Sequence, residues 1–131
     1  ALVVIQRETG LRSYKDAGIQ LKAEISTPLV ISIFNPESPM HDGAIILQNT
    51  LVEAAGCILP LTESQMILPD MGTRHRAALG ISEESDAIVI IVSEEKGSIL
   101  TAENGRFTHL DHDEMTLRRY LNERLFISSG D

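Results

Sequence analysis

Residues 86–95 read DAIVIIVSEE, six consecutive aliphatic side chains from Ala87 to Val92 with acids on both sides. Five of those six are β-branched, which suits a pleated strand better than a helix. An apolar run of this length without polar alternation predicts a central strand buried on both faces. A strand covered on both faces needs helices above and below its sheet.

The flanking segments supply them. Upstream, TRHRAALGISEES (residues 73–85) predicts a helix capped by Thr73. Downstream, GSILTAENGRFTHL places Asn104-Gly105 between two strand-like runs, the strongest hairpin signal in the chain. DHDEMTLRRYLNERLF then closes the chain as an amphipathic helix with acids first and bases later, matched to the helix dipole. At the other end, ALVVIQRE reads as a buried strand and TGLRSYKDAG as a polar connection. Ser26 as N-cap and Pro28 in the first turn predict a short helix over 27–34. NPESPMHDG is a loop, AIILQNTLVEAAGCILPL a β-hairpin about a polar QNT, and TESQMILPDMG a longer connection with a helical turn. Five or more strands with three or four helices make the fold α/β, a single domain whose central sheet is mixed because hairpins are present.

Bulk properties bound the function. The 131 residues are 43% hydrophobic and 23% charged, ordinary for one globular domain, here residues 1–131. A net charge of -8 disfavours a nucleic-acid duplex or an anionic membrane as partner but tolerates a small anion in a local basic pocket. Aromatic residues are only 4%, too few to stack single-stranded nucleic acid. One cysteine, Cys57, permits no internal disulfide. No apolar run approaches the ~20 residues of a spanning helix, and no signal peptide is visible. The expectation is a soluble, intracellular domain. Because the chain opens directly on a strand, it reads as a piece cut from a longer protein.

Three clusters carry chemistry. Gly72-Thr73-Arg74-His75-Arg76 sets cationic donors at a helix N-terminus, where the dipole disfavours them unless an anion is held there. In a regular helix Arg74 and Arg76 point about 200° apart, so one faces the ligand and the other braces the loop. The plainer reading is a solvated basic turn. In His41-Asp42-Gly43-Ala44, Asp42 is a hard oxygen ligand for Mg²⁺ or Mn²⁺, and His41 suits Mn²⁺ better. An Asp-Gly turn entering a strand is the alternative. Ser93, Glu94 and Glu95 follow the aliphatic run, offering a hydroxyl to phosphate and a second metal acid, or merely a charged hairpin end. Asp42 precedes one strand and Glu95 follows another. Antiparallel in one sheet, those strands would bring both acids to one edge beside the Thr73 helix, as metal-assisted phosphoryl or nucleotidyl transfer requires. Cys57, His109 and His112 read as core or helix entry, and no Walker loop, dinucleotide fingerprint or zinc spacing is present.

Asp42-Gly43-Ala44 followed by Arg74-His75-Arg76 resembles the DGA and RHR motifs of the diadenylate cyclase domain, which condenses two ATP into cyclic di-AMP. The resemblance extends through RETGLRSYKDAGIQLKAEIS, PMHDGAIIL, LPLTES, GTRHRAALGISEESDAIVIIVSEEKG and ENGR, and is nearest the membrane-tethered, single-domain bacterial subgroup. It implies that Asp42 holds a catalytic divalent metal (Mn²⁺ or Mg²⁺, with Co²⁺ also admitted), and that His41 and Glu95 join the metal site. It makes Asp42, Arg74 and Glu95 the catalytic residues. Gly43 and Ala44 would admit the nucleotide, Gly72, Thr73, Arg74, His75 and Ser93 would surround the phosphates, Arg76 would support the loop, and Leu59 would lie near adenine. The sequence departs from the family at Ile58, where members carry a tyrosine. The resemblance further implies a face-to-face homodimer, a membrane anchor ahead of the domain, a position on the cytosolic face of the membrane and room for a regulatory protein partner. A module that binds ATP or cyclic di-AMP without turnover is the alternative, and a purely structural domain a third reading.

Overall fold

The strand Leu2–Ile5 (β1) occupies the middle of a seven-stranded sheet. The computed structural model describes residues 1–64, 71–93, 98–111 and 114–125. After β1 come α1 (Arg12–Ala17), β2 (Ile19–Glu24), α2 (Thr27–Phe34), β3 (Ala44–Gln48) and β4 (Leu51–Cys57). Then follow α3 (Thr73–Glu84), β5 (Ile88–Val92), β6 (Ile99–Glu103), β7 (Arg106–Asp111) and α4 (Glu114–Leu125). The strand order is β2-β4-β3-β1-β5-β6-β7. Among the described residues only β1 and β3 pair in parallel; the other pairs are antiparallel, so the sheet is mixed as expected.

Alternation along each strand divides the core. Leu2, Val4, Ala44, Ile46, Val89 and Ile91 face one side, where Ala77, Ala78 and Ile81 of α3 cover them. Ile45, Val52 and Ala55 face the other side and meet Ile33 of α2. Ile88 and Leu110 on that second side meet Tyr120 of α4. The result is three layers, with a sheet between helices.

Most segments form what their residues predict. The Ser26 hydroxyl accepts from the Leu29 amide at 3.2 Å, capping α2 with Pro28 in its first turn. Asn104 (φ 52°) and Gly105 (φ 75°) adopt the left-handed pair that closes a two-residue hairpin. β5 is an interior strand between β1 and β6, although β1 holds the middle.

Three details differ. TGLRSYKDAG contains α1, a six-residue helix with no side-chain cap and no buried residue of its own. It is docked by Leu11, which precedes it, and by Tyr14 against the core. IQLKAE, passed over in the sequence, is the edge strand β2, mostly exposed and interrupted at Lys22 (φ 50°) by a register shift. An irregular edge resists pairing with other chains, and it also hides the strand signal. Finally, Thr73 does not cap α3. Gly72 is the N-cap, with no side-chain hydrogen bond, and Thr73 is the first helical residue.

Candidate active site

Sheet pairing brings two chain segments to one edge. Val3 pairs with Ile45 on one side and Ile90 on the other. One step toward the edge, the Ala1 carbonyl accepts from the Val92 amide and the Ala1 amino group donates to the Val92 carbonyl, both at 2.9 Å. β3 and β5 are therefore antiparallel across β1. The start of β3, after Asp42-Gly43, and the end of β5, before Ser93, emerge at the same edge, about 10 Å apart by two strand spacings. Glu95, the second acid predicted for this edge, lies outside the described residues, as does Glu94.

The Asp42-Gly43 turn is built on a bulge. Register shifts between β3 and β4 across Ala44–Ile46, where Gly56 turns left-handed (φ 63°). Gly43 itself has φ 89°, and a Cβ there would meet the Cys57 carbonyl oxygen at 2.7 Å. Gly43 thus permits a close approach to its own neighbouring strand. The Asp42 carboxylate is left almost fully in solvent, its side chain 91% exposed. Ala44 is buried in the core, so any contact it makes with a ligand is through its backbone.

Beside Asp42, the His41 ring is held by its Nδ1, 2.7 Å from the Ser38 carbonyl oxygen. A carbonyl only accepts, so Nδ1 donates, and the neutral ring then presents a lone pair at Nε2. That nitrogen lies 3.3 Å from Asp42 Oδ1. An imidazole nitrogen oriented by a backbone carbonyl next to a hard carboxylate oxygen is a donor set that fits a divalent cation. Among the described residues no third His, Cys, Asp or Glu completes a cluster with them.

α3 starts opposite this turn. Its first turn contains no acid, and a Cβ on Gly72 would meet nothing within 4 Å, so space is open at the N-terminus. Two cavities meet there. One, of about 390 Å³, is bounded by Asp42, Gly43 and Leu2, by Cys57, Ile58, Leu59 and Leu61 after β4, and by Thr73, Arg74 and Ala77 of α3. The other, of about 520 Å³, is bounded by Gly72, Thr73, Arg74 and His75 together with Ile91, Val92 and Ser93. Thr73 and Arg74 border both. The arrangement is a cleft with an apolar half, an acid at one rim and a helix N-terminus with an exposed arginine between the halves.

Arg76 lines neither cavity; its carbonyl instead accepts from the Thr62 amide at 3.0 Å, a backbone link between α3 and the loop after β4. The His75 ring packs edge-on against Phe107 of β7, with ring centroids 6.1 Å apart. Cys57 is buried, and burial pushes its thiol up to about 11, which fits a core residue better than a nucleophile. His109 is exposed on β7 and His112 lies outside the described residues. Sequence reasoning missed Leu2, Leu61 and Ala77 as cavity walls. Their apolar character looked like core, which is what most such residues are.

A family model for the nucleotide-binding domain of the DisA bacterial checkpoint controller (DAC) matches residues 1–107. The chain belongs to the DAC family. Cyclic di-AMP synthase CdaA of Bacillus subtilis is 49% identical over 121 residues, 92% of this chain and 44% of CdaA. A diadenylate cyclase of Listeria monocytogenes is 45% identical over 116 residues, 88% of this chain and 42% of that protein. This DAC chain therefore spans less than half the length of those two relatives. The crystal structure of a double cysteine mutant of DacA from Staphylococcus aureus superposes with a TM-score of 0.90 at 45% identity, covering 96% of this chain and 83% of the crystallised chain. A hypothetical membrane-spanning protein from Bacillus cereus superposes at 0.79 and 45% identity, covering 83% of this chain and 53% of that one. The DAC chain has the α/β fold with a mixed sheet that the DacA likeness shows. No helix among its described residues is long and apolar enough to cross a membrane.

Proposed function

We propose that this chain is the catalytic domain of a diadenylate cyclase, residues 1–131 of a longer, membrane-anchored protein acting at the cytosolic face. The carrying observation is the single cleft that Asp42 shares with Thr73 and Arg74 at the N-terminus of α3. It sets a metal-binding acid beside an anion-binding terminus, in a family whose relatives are named as cyclic di-AMP synthases and diadenylate cyclases.

In this reading ATP lies across the two cavities. Leu59, with Leu2 and Ala77, forms an apolar floor for adenine, and Ile58 and Leu61 flank it at the rim. The first-turn amides of α3, the Thr73 hydroxyl, the Arg74 guanidinium, His75 and Ser93 receive the triphosphate, with Gly72 leaving room for it. Gly43 and Ala44 contribute backbone at the sugar. Asp42, His41 and Glu95 would hold a divalent cation, Mn²⁺ or Mg²⁺ with Co²⁺ also compatible, which when bound offsets phosphate charge and makes a ribose hydroxyl more acidic. Asp42 also orients the 3′-hydroxyl. That oxygen attacks the α-phosphate of the ATP on a second subunit, its proton is released, and the bond to pyrophosphate breaks. Reciprocal attack gives cyclic di-AMP and two pyrophosphates. One subunit presents one nucleotide, so two must face each other. Ile58 at 78% exposure and Leu61 at 54% give the cleft rim an apolar surface that a second subunit would cover. A regulatory protein could act by blocking that face.

The test is mass spectrometry of product from ATP with Mn²⁺ or Mg²⁺ at low and high protein concentration. Cyclic di-AMP should rise faster than linearly with protein, and Asp42→Asn should abolish it while ATP still binds. Binding without product in forced dimers would favour a nucleotide sensor. A chain that binds no nucleotide would be a structural domain.

A further inference from the structure

Leu61 belongs to the wall of the apolar cavity, and its neighbours Pro60 and Thr62 lie along one stripe of α3, formed by Arg76, Gly80 and Glu83 at helical spacing. Four observations fasten them. The Thr62 amide donates to the Arg76 carbonyl at 3.0 Å, and the buried Thr62 hydroxyl donates to Glu83 Oε1 at 2.8 Å. The same hydroxyl accepts from the Ser64 amide at 3.0 Å, so its donor and acceptor capacities are both used. At Gly80 the contact is backbone on backbone: a Cβ would lie 1.9 Å from the Pro60 carbonyl oxygen and 3.0 Å from the Thr62 nitrogen.

The cavity is bounded by this loop on one side and by Thr73, Arg74 and Ala77 of the same helix on the other. Its width is therefore the loop-to-helix distance. We propose that Thr62 and Glu83 are positioning residues for the nucleotide, holding the base-side wall at a fixed distance from the phosphate-side helix terminus. The inference rests on the cyclase reading of this cleft. Neither side chain lines the cavity, and Glu83 lies ten residues along α3 from Thr73, so each acts only through the loop. Without the bond Thr62 retains its backbone link to Arg76 but loses its side-chain anchor to Glu83, about two turns further along α3. The base then meets a wall that no longer holds one spacing, while the helix terminus stays in place on the sheet through Ala77, Ala78 and Ile81.

The experiment compares two probes by calorimetry with Mn²⁺: 3′-deoxy-ATP, which has the base but no attacking hydroxyl, and inorganic tripolyphosphate, which has only the charge. Thr62→Val and Glu83→Ala should each weaken 3′-deoxy-ATP about tenfold and leave tripolyphosphate within about twofold. The double variant should be no weaker than Thr62→Val alone, because Thr62→Val already removes the one bond that Glu83→Ala removes. Thr62→Ser and Glu83→Gln, which keep the donor and the acceptor, should bind like the parent. Equal losses for both probes, or an unchanged affinity for 3′-deoxy-ATP, would overturn the assignment. A parent protein that binds neither probe would instead overturn the cyclase reading on which it stands.

Discussion

Gly43 lies so close to Cys57 that a Cβ on it would sit 2.7 Å from the Cys57 carbonyl oxygen. Its φ of 89° also disfavours any L side chain. Gly43→Ala should cost on the order of 2–4 kcal/mol, from left-handed strain and the backbone clash together, and should displace Asp42. Denaturant melts and cyclic di-AMP yield should both fall. A variant melting like the parent would contradict the contact.

Asp86 links the end of α3 to the chain after β1. Its carboxylate accepts from the Glu8 amide at 3.0 Å and the Thr9 amide at 2.9 Å. Burial alone would raise its pKa, but the hydrogen bonds, those from Thr9 and Glu8 foremost, outweigh burial and lower it. A pKa lower in the folded than in the unfolded chain contributes stability in full above the usual aspartate value of ~3.9, and that stability is lost as pH falls through the folded value. Asp86→Asn should therefore flatten the acid limb of a stability-against-pH curve. An identical limb in the variant would remove the linkage.

Glu103 gathers the carboxyl-terminal helix. It accepts from Arg124 Nε at 2.6 Å, the Tyr120 hydroxyl at 3.2 Å and Arg7 at 3.4 Å, and the Arg124 guanidinium stacks 3.5 Å over the Tyr120 ring. Glu103→Ala should cost about 1–2 kcal/mol, less than a buried pair because Glu103 and the Arg7 and Arg124 guanidinium groups all reach water. Hydrogen exchange should quicken in 114–125 before it does in β5. Unaltered exchange there would show that apolar packing alone docks α4.

With its thiol raised to about 11, Cys57 should resist alkylation in the native protein. At pH 8 roughly one thiol in a thousand is ionised, and burial excludes the reagent as well. Iodoacetamide should react at least about a hundredfold faster with the unfolded chain than with the native one. Similar rates would mean that the end of β4 opens readily.

Ile58 lines the cavity yet is mostly exposed, an aliphatic side chain where a flat ring could face a base. Ile58→Tyr should tighten 3′-deoxy-ATP by about two- to tenfold through added ring contact. No change in the calorimetric affinity would indicate that the base does not reach residue 58.

The architecture was legible where residues act on near neighbours. The run Ala87–Val92, the Asn104-Gly105 turn and the Ser26-Pro28 cap each commit a short stretch through burial, φ preference or a local hydrogen bond. α1 and β2 escaped because what stabilises them is elsewhere: α1 buries none of its own side chains, and β2 is an exposed edge paired on one side to β4. The helix start at Thr73 was visible, but its cap was misassigned to Thr73, because a glycine N-cap leaves no side-chain signal.

For the site, the sequence by itself determined the chemistry available: an acid beside a histidine, a glycine able to turn left-handed, and donors concentrated at the start of one helix. Only the tertiary structure decided which of these share a cleft. Because β1 lies between β3 and β5, antiparallel to one and parallel to the other, Asp42 and Ser93 leave the sheet at one edge. Because Gly80 lets Pro60 approach α3, the apolar wall stands opposite Arg74. Side-chain chemistry is a property of each residue, whereas convergence depends on hydrogen-bonded register and contacts between segments tens of residues apart.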